Sequence, residues 1–585
     1  MKGKDTSLLS LMKGNYVFSI PIYQRKYSWP QTQCRTLLDS IVKISNDTFR
    51  EWHFLGSIIY LSKEEEMLAG TNEFQIIDGQ QRLTTMSLLL LALLDMPDAS
   101  DHLKKEISRY LFNLEEFSFS DPEYIKLHLR EEDDLVYRRL LEDRSLPSEV
   151  KSSKIYDNYR FFIRTISQES IPVDVLFNGI QKLKIINFAL KKTDNAQFVF
   201  ETVNSTGLPL YAHDKIRNFI FMAENDEEKQ IKLYKNYWHP MEKMLGLTDG
   251  DGRIFNDFFW YYLIVVTQSP ISTDLYEVFK DYYYANSKNG IENEVQSIYQ
   301  FSKYFHLFVS AEQTQDELIN YLVKLRNTNL WSMTPVILKT LDLQNSEALS
   351  RSDAIRILKT LYSYGMRRTI CQCPTNSLNG AFITLLKDLN MNRSANSFVK
   401  TITSTEGNPF TYAQRFPTDE EMVAHLKTSQ FYMDKVHARK ILDLLEQYFN
   451  KDYAHNDKHS IEHVMPETIE SHDSLFARSD LSDEIKEMKD WAKDLGEGWE
   501  ETYSKYTHTI GNLTLTGYNS EYQNYRFKYK LDMQEDAEDG KKYGYRYSPI
   551  NLTTSIAQKT KWGESEIIER SEYLATILTK IWPRP

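Results

Sequence analysis

The chain has 585 residues, 41% hydrophobic and 26% charged, the composition of a soluble globular protein and too long for one hydrophobic core, so three domains are expected. Its net charge of −12 argues against a protein that coats nucleic acid; any contact with DNA must rest on local basic patches and metal ions. Its three cysteines, Cys34, Cys371 and Cys373, exclude a disulfide framework and a four-cysteine zinc site, and point to a reducing compartment.

In chain order, the apolar run at residues 8–12 is too short for a signal peptide, and a cytoplasmic protein is expected. Segments 17–21 and 54–61 are apolar, β-branched and aromatic, so both read as strands, with a helix at 32–44 between them. Residues 74–77 form a short strand, Asp78-Gly79 a turn, and 83–96 a helix. The last segment falls short of the ~20 apolar residues that span a bilayer, so it reads as a core helix and no membrane is expected as a partner.

From about 224 to 424, helical periodicity dominates, as at 255–266, 316–326, 331–341 and 353–364. Aromatic runs such as Phe258-Phe259-Trp260-Tyr261-Tyr262 could stack on bases, but helix core is the plainer reading. The C-terminal part begins with a helix at 434–449 and ends with one at 564–582. Expected domains are 1–223, 224–430 and 431–585, an α+β multidomain chain with a helical, aromatic-rich middle.

Two short motifs carry chemistry. At Ile77-Asp78-Gly79-Gln80-Gln81-Arg82, a strand turns into a helix, and Gly79 lets the backbone approach a ligand closely. The helix amides would point at an anion, Arg82 would fork onto phosphate oxygens, and Asp78 would hold magnesium. Gln80 and Gln81 are neutral donors suited to sugar or phosphate. The alternative is a common Asp-Gly turn with Arg82 as a surface residue.

Far downstream lies Ile461-Glu462-His463-Val464-Met465-Pro466, followed by Gly511-Asn512-Leu513-Thr514-Leu515 and Asn519. Phosphodiester hydrolysis needs an activated water and a cation. His463 is the expected general base, Glu462 and Asn519 the ligands of Mg²⁺ or Mn²⁺, and Asn512 the residue that pins the loop orienting His463. This pattern resembles an HNH (ββα-metal) nuclease. His508 either touches the scissile phosphate or hydrogen-bonds the loop. Arg526, Lys528 and Lys530, interleaved with Tyr525, Phe527 and Tyr529, form the best basic patch for DNA, with a solvated lysine as the plain alternative for Lys530. A zincin motif is excluded because position 460 is Ser.

The motifs extend outward. Ile20-Pro21-Ile22-Tyr23-Gln24-Arg25-Lys26-Tyr27-Ser28-Trp29, Phe54-Leu55-Gly56-Ser57-Ile58, the Asp78–Arg82 motif, and the block from Phe200 through Asn204 and Gly207 to Asp214 resemble the N-terminal domain of GmrSD-type restriction proteins. The segment from Glu462 through Asn512, Asn519, Asn524, Phe527 and Lys530 to Trp562, Arg570 and Trp582 resembles their C-terminal half. The resemblance implies a ParB/sulfiredoxin-like domain that hydrolyses a nucleoside triphosphate (GTP or ATP), with Arg25, Asp78, Gln81, Arg82, Asn204 and Asp214 lining its pocket.

It also implies a nucleotide-regulated, modification-dependent endonuclease acting on phage DNA, alone, as a homo-oligomer or with partner defence proteins. Hydrolysis could license cutting, or binding could restrain it. Two other functions stay open at this level: a nucleotide-gated sensor with little or no cutting, and an HNH enzyme acting on RNA.

Overall fold

The computed structural model describes residues 3–585 except 48, 63–71, 114–116, 119, 149, 151, 192–193, 195–198, 200–210, 225, 247–251, 287, 289, 405–410, 455 and 535–540. Asn204 and Gly207 therefore lie outside the described residues. The chain divides into two compact units, 1–260 with 271–303, and 261–270 with 304–585. The helical stretch expected as a separate middle domain is thus shared between the two.

The first unit is built on a six-stranded mixed sheet in the order β1-β6-β3-β4-β2-β5. Its strands are β1 (Lys4–Ser7), β2 (Tyr16–Ser19), β3 (His53–Ser62), β4 (Asn72–Asp78), β5 (Leu127–His128) and β6 (Leu183–Leu190). β3 pairs parallel with β6 and antiparallel with β4, with Ile59 opposite Asp78. β2 pairs parallel with both β4 and β5. Strands β2, β3 and β4 and helix Gln31–Asn46 lie where the residue pattern predicts them.

The Leu-rich segment is helix Gln80–Leu94, and every residue from Leu83 to Leu93 is buried. A helix apolar on all sides has to be enclosed by other elements, and this one sits in the core with Leu38, Ile41, Phe162 and Ile166. It starts three residues earlier than the apolar run, so Gln80, Gln81 and Arg82 form its first turn. Gly79 precedes it at φ +93°, a left-handed conformation that a side chain would strain.

In the second unit, β7 (Ser460–His463) pairs antiparallel with β8 (Leu513–Thr516), with Glu462 opposite Thr514 and His463 opposite Leu513. Residues 464–512 between them carry four short helices, and helices Asn519–Tyr522 and Phe527–Leu531 follow β8. The turn into β8 lies against helix Glu564–Ile581. A Cβ on Gly511 would meet the Ile567 carbonyl oxygen at 2.1 Å and Ser571 Oγ at 2.3 Å, so only glycine permits this approach. Gly511→Ala is expected to destabilise the second unit by roughly 1–3 kcal/mol, the usual cost of overpacking, measured as a lowered midpoint in denaturant unfolding.

Candidate functional site

In the first unit, β4, helix Gln80–Leu94 and helix Ala212–Ala223 bound a cavity of about 500 Å³. Its lining includes Arg25, Asp78, Gly79, Arg82, Asp214 and Arg217. Asp78 ends β4, and burial raises its carboxyl pKa against the opposing pull of Arg82, the Gly79 N–H and Arg25. Arg82 Nη1 donates to the Ser57 carbonyl at 3.0 Å and lies 3.9 Å from Asp78 Oδ2. Gly56, at φ +121°, makes room for it: a Cβ there would stand 2.9 Å from the Arg82 guanidinium carbon. The Gly-Ser of β3 is thus the seat of this arginine.

The two glutamines serve the loop more than the cavity. Gln81 Oε1 accepts the Ser28 N–H at 2.8 Å, and its Nε2 donates to the Lys26 carbonyl at 3.2 Å. Gln80 Nε2 reaches Gln24 Oε1 at 3.4 Å, and Gln24 Nε2 reaches the Ile77 carbonyl at 3.2 Å. Both glutamines line the cavity, and each amide spends at least one hydrogen bond on residues 24–28. Within that loop Tyr23 and Tyr27 are buried in the core, Tyr23 stacked on Phe221 and Tyr27 bonded to Thr85.

Arg25 lies between them and lines the cavity with no hydrogen bond or ion pair among the described residues. Burial lowers its pKa, with Asp214 and Asp78 opposing. Asp214 is engaged by Arg217 Nη2 at 2.6 Å. Asp78, joined to Arg82 only at long range, is the carboxylate that would hold Mg²⁺ together with substrate phosphates, where the ion would offset phosphate charge.

In the second unit, His463 ends β7 and is 6% exposed. Its Nε2 lies 3.2 Å from His508 Nδ1. The Tyr432 ring meets His463 edge-on at 4.4 Å and stacks on His508 at 5.6 Å. Burial, then His508, Lys530 and Lys435, push the His463 pKa down to about 3, so the imidazole is neutral at neutral pH.

Asn512 is fully buried. Its Oδ1 accepts the Met465 N–H at 2.8 Å and the Trp562 indole N–H at 3.0 Å. Its Nδ2 donates to the Met465 and Thr507 carbonyls, both at 2.8 Å. It therefore joins the segment after His463 to the one carrying His508 and cannot touch a substrate: it is a positioning residue, not a catalytic one. Arg570 holds the same turn, donating to the Gly511 and Leu513 carbonyls at 2.7 Å.

Glu462 and Lys530 differ most from expectation. Glu462 is 3% exposed and Lys530 1%. Lys530 Nζ donates to Glu462 Oε1 at 2.7 Å, and the Tyr545 hydroxyl to the same oxygen at 2.9 Å. The ammonium also reaches the His463 and Val464 carbonyls at 3.3 and 3.2 Å. Glu462 is neutralised internally, while Asn519 is exposed with its Nδ2 on the Ile461 carbonyl at 3.2 Å. Among the described residues no three His, Cys, Asp or Glu side chains gather as a metal site. The two expected ligands thus do not fit a divalent cation in this arrangement, because an ammonium already occupies the carboxylate.

The expected basic patch is also corrected. Alternate residues share a face in a strand, but here they enter helix Phe527–Leu531, where two positions turn about 200°. Arg526 and Lys530 point inward. Arg526 is buried and paired with Glu487 and Asp494. Only Lys528 remains exposed, resting on the Tyr529 ring. Tyr432, Tyr545 and Arg217 gave no sequence signal of their own, because each acts through contacts distant in sequence.

Residues 6–221 match the family model of the GmrSD restriction endonuclease N-terminal domain, and residues 416–577 that of the GmrSD restriction endonuclease C-terminal domain. Each matched segment carries one of the two sites. The chain belongs to the GmrSD restriction endonuclease family, whose substrate is DNA. No curated protein matches it. No helix among the described residues is long and apolar enough to cross a membrane.

Removing one member of a buried ion pair strands the other. Lys530→Met is expected to destabilise the second unit by about 3–5 kcal/mol, and the double change with Glu462→Gln to recover most of that loss. Denaturant unfolding of both single variants and the double variant measures the coupling; additive effects would count against the clamp.

Proposed function

We propose that this restriction endonuclease hydrolyses DNA at an HNH-type site centred on His463, under control of a nucleoside triphosphate bound in the ParB-like pocket of the first unit. The observation that carries the cutting role is the imidazole at the end of β7, set 3.2 Å from His508 and against the Tyr432 ring, with its loop held through Asn512. An imidazole with a free ring nitrogen can take a proton from water as that water attacks the phosphodiester. His508, 3.2 Å away, fixes the imidazole's tautomer and gives the proton a second nitrogen to move to. Lys530, with Glu462, positions the backbone of residues 463–464.

The nucleotide role rests on the strand–glycine–helix corner. The N-terminal amides of helix Gln80–Leu94 have no side-chain cap, and Arg25, without a hydrogen-bond partner among the described residues, and the seated Arg82 stand beside them. Asp78 would hold a Mg²⁺ that offsets phosphate charge; ATP and GTP are both candidates. Modified phage DNA in the bacterial cytoplasm is the proposed target, on family resemblance. A second reading, a nucleotide-gated sensor with weak cutting, is favoured by the burial of His463 and the loss of the basic patch.

A plasmid-nicking assay of modified and unmodified DNA across a nucleotide panel separates the two readings. His463→Ala is expected to abolish cutting while nucleotide hydrolysis persists; retained cutting would sink the assignment. Arg82→Ala is expected to lower nucleotide turnover by roughly 10²-fold or more without unfolding the protein, and an unchanged rate would refute the phosphate-cradle role.

A further inference from the structure

Asp214 and Arg217 line the pocket from within the matched N-terminal segment, yet the group that fixes them lies outside both matched segments. Glu242, in helix His239–Met244, is 4% exposed. Its Oε1 accepts from Arg217 Nη1 at 2.9 Å and from the Trp238 indole N–H at 3.1 Å. Its Oε2 accepts from the Tyr234 hydroxyl at 2.7 Å and lies 3.9 Å from Arg130 Nη2.

Each arginine has a second contact at the pocket. Arg217 Nη2 holds Asp214, and Arg130 Nη1 donates to the Gln24 carbonyl at 2.5 Å, in the peptide unit next to Arg25. Arg130 also bonds the Tyr234 hydroxyl. One carboxylate therefore governs two parts of the pocket at once: the Asp214 side chain and the backbone that presents Arg25.

Two arginines and two carboxylates buried together are a poor stability device, since well-packed apolar groups of similar size are often as stable or more so. Tyr234 and Trp238 bound a five-residue π-turn, a rare geometry frequent at functional sites. We infer that Glu242 is a positioning residue of the nucleotide pocket, holding Arg217 on Asp214 and cancelling a positive charge that would otherwise face the ligand. This rests on the nucleotide reading of the pocket.

Its consequence is directional. Glu242→Gln keeps the shape but leaves Arg217 and Arg130 with one carboxylate between them. A triphosphate then meets a more positive pocket, while Arg217 and Asp214 lose their fixed arrangement. On the full-length chain, with ATP and GTP in the presence of Mg²⁺, Kd is expected to fall severalfold with a steeper salt dependence, while kcat drops roughly 10–100-fold.

A merely structural lesion would weaken binding and turnover together, in step with a lowered Tm. Glu242→Asp is expected to return Kd and its salt dependence toward those of the unmodified chain. Tyr234→Phe, which removes the hydroxyl's hydrogen bonds to Glu242 and from Arg130 but no charge, is expected to lower kcat with Kd unchanged, and it gives the reading should Glu242→Gln not fold.

Unchanged kcat in both Glu242→Gln and Tyr234→Phe overturns the assignment, and so does a parallel loss of binding and turnover in Glu242→Gln. Failure of the unmodified chain to bind either nucleotide overturns the nucleotide reading itself, a separate and recognisable result.

Discussion

Charge taken out of water has to be matched within a few ångströms, and both sites of this chain are organised by that requirement. In the second unit it ties Glu462 to Lys530 beneath His463; in the first it ties Glu242 to Arg217 and Arg130 behind the pocket. Neither set is on display to solvent. Each fixes the backbone or side chains that do face a ligand, so the residues with the most conspicuous charge are supports. What is left outside these pairs is less conspicuous: an imidazole in one unit, and an arginine without a partner among the described residues in the other.

The chain's architecture was legible where local pattern suffices. The strand–glycine–helix corner at Asp78–Arg82 has a distinct pattern, three of the strands follow from their apolar, β-branched and aromatic content, and the long core helix from its unbroken apolar run. β6 escaped notice because its role is set by parallel pairing with a strand more than a hundred residues earlier. The spacing of Arg526, Lys528 and Lys530 misled for a different reason: alternation means a shared face only in a strand, and these residues lie at and within a helix. Beside His463, Glu462 has the pattern of a metal ligand, and nothing in the sequence places Lys530 against it.

Asn512 shows how a residue of a site can be kept from its ligand. The residue was expected to pin the loop that orients His463, and its amide does join that loop to the His508 segment. Complete burial excludes it from contact with DNA. The same distinction separates Gln81 from Arg25: both belong to the pocket motifs, but Gln81's amide is bound within the loop, while the Arg25 guanidinium is kept available. Polar residues gathered around a site divide into those that hold it and those that meet the ligand, and hydrogen-bond partners reveal which is which.

The two strands that present His463 are separated by residues 464–512, and their turn is locked by Trp562 and Arg570 farther along. The site therefore has high contact order: it cannot form until a span of more than a hundred residues has been laid down and packed. Synthesis proceeds from the N-terminus, and domains fold largely as units in that order. The cavity of the first unit can form while the surroundings of His463 are still without their last supports. The two units thus differ in when they can be completed: the first can pack while β7 and β8 of the second still wait for the residues that lock their turn.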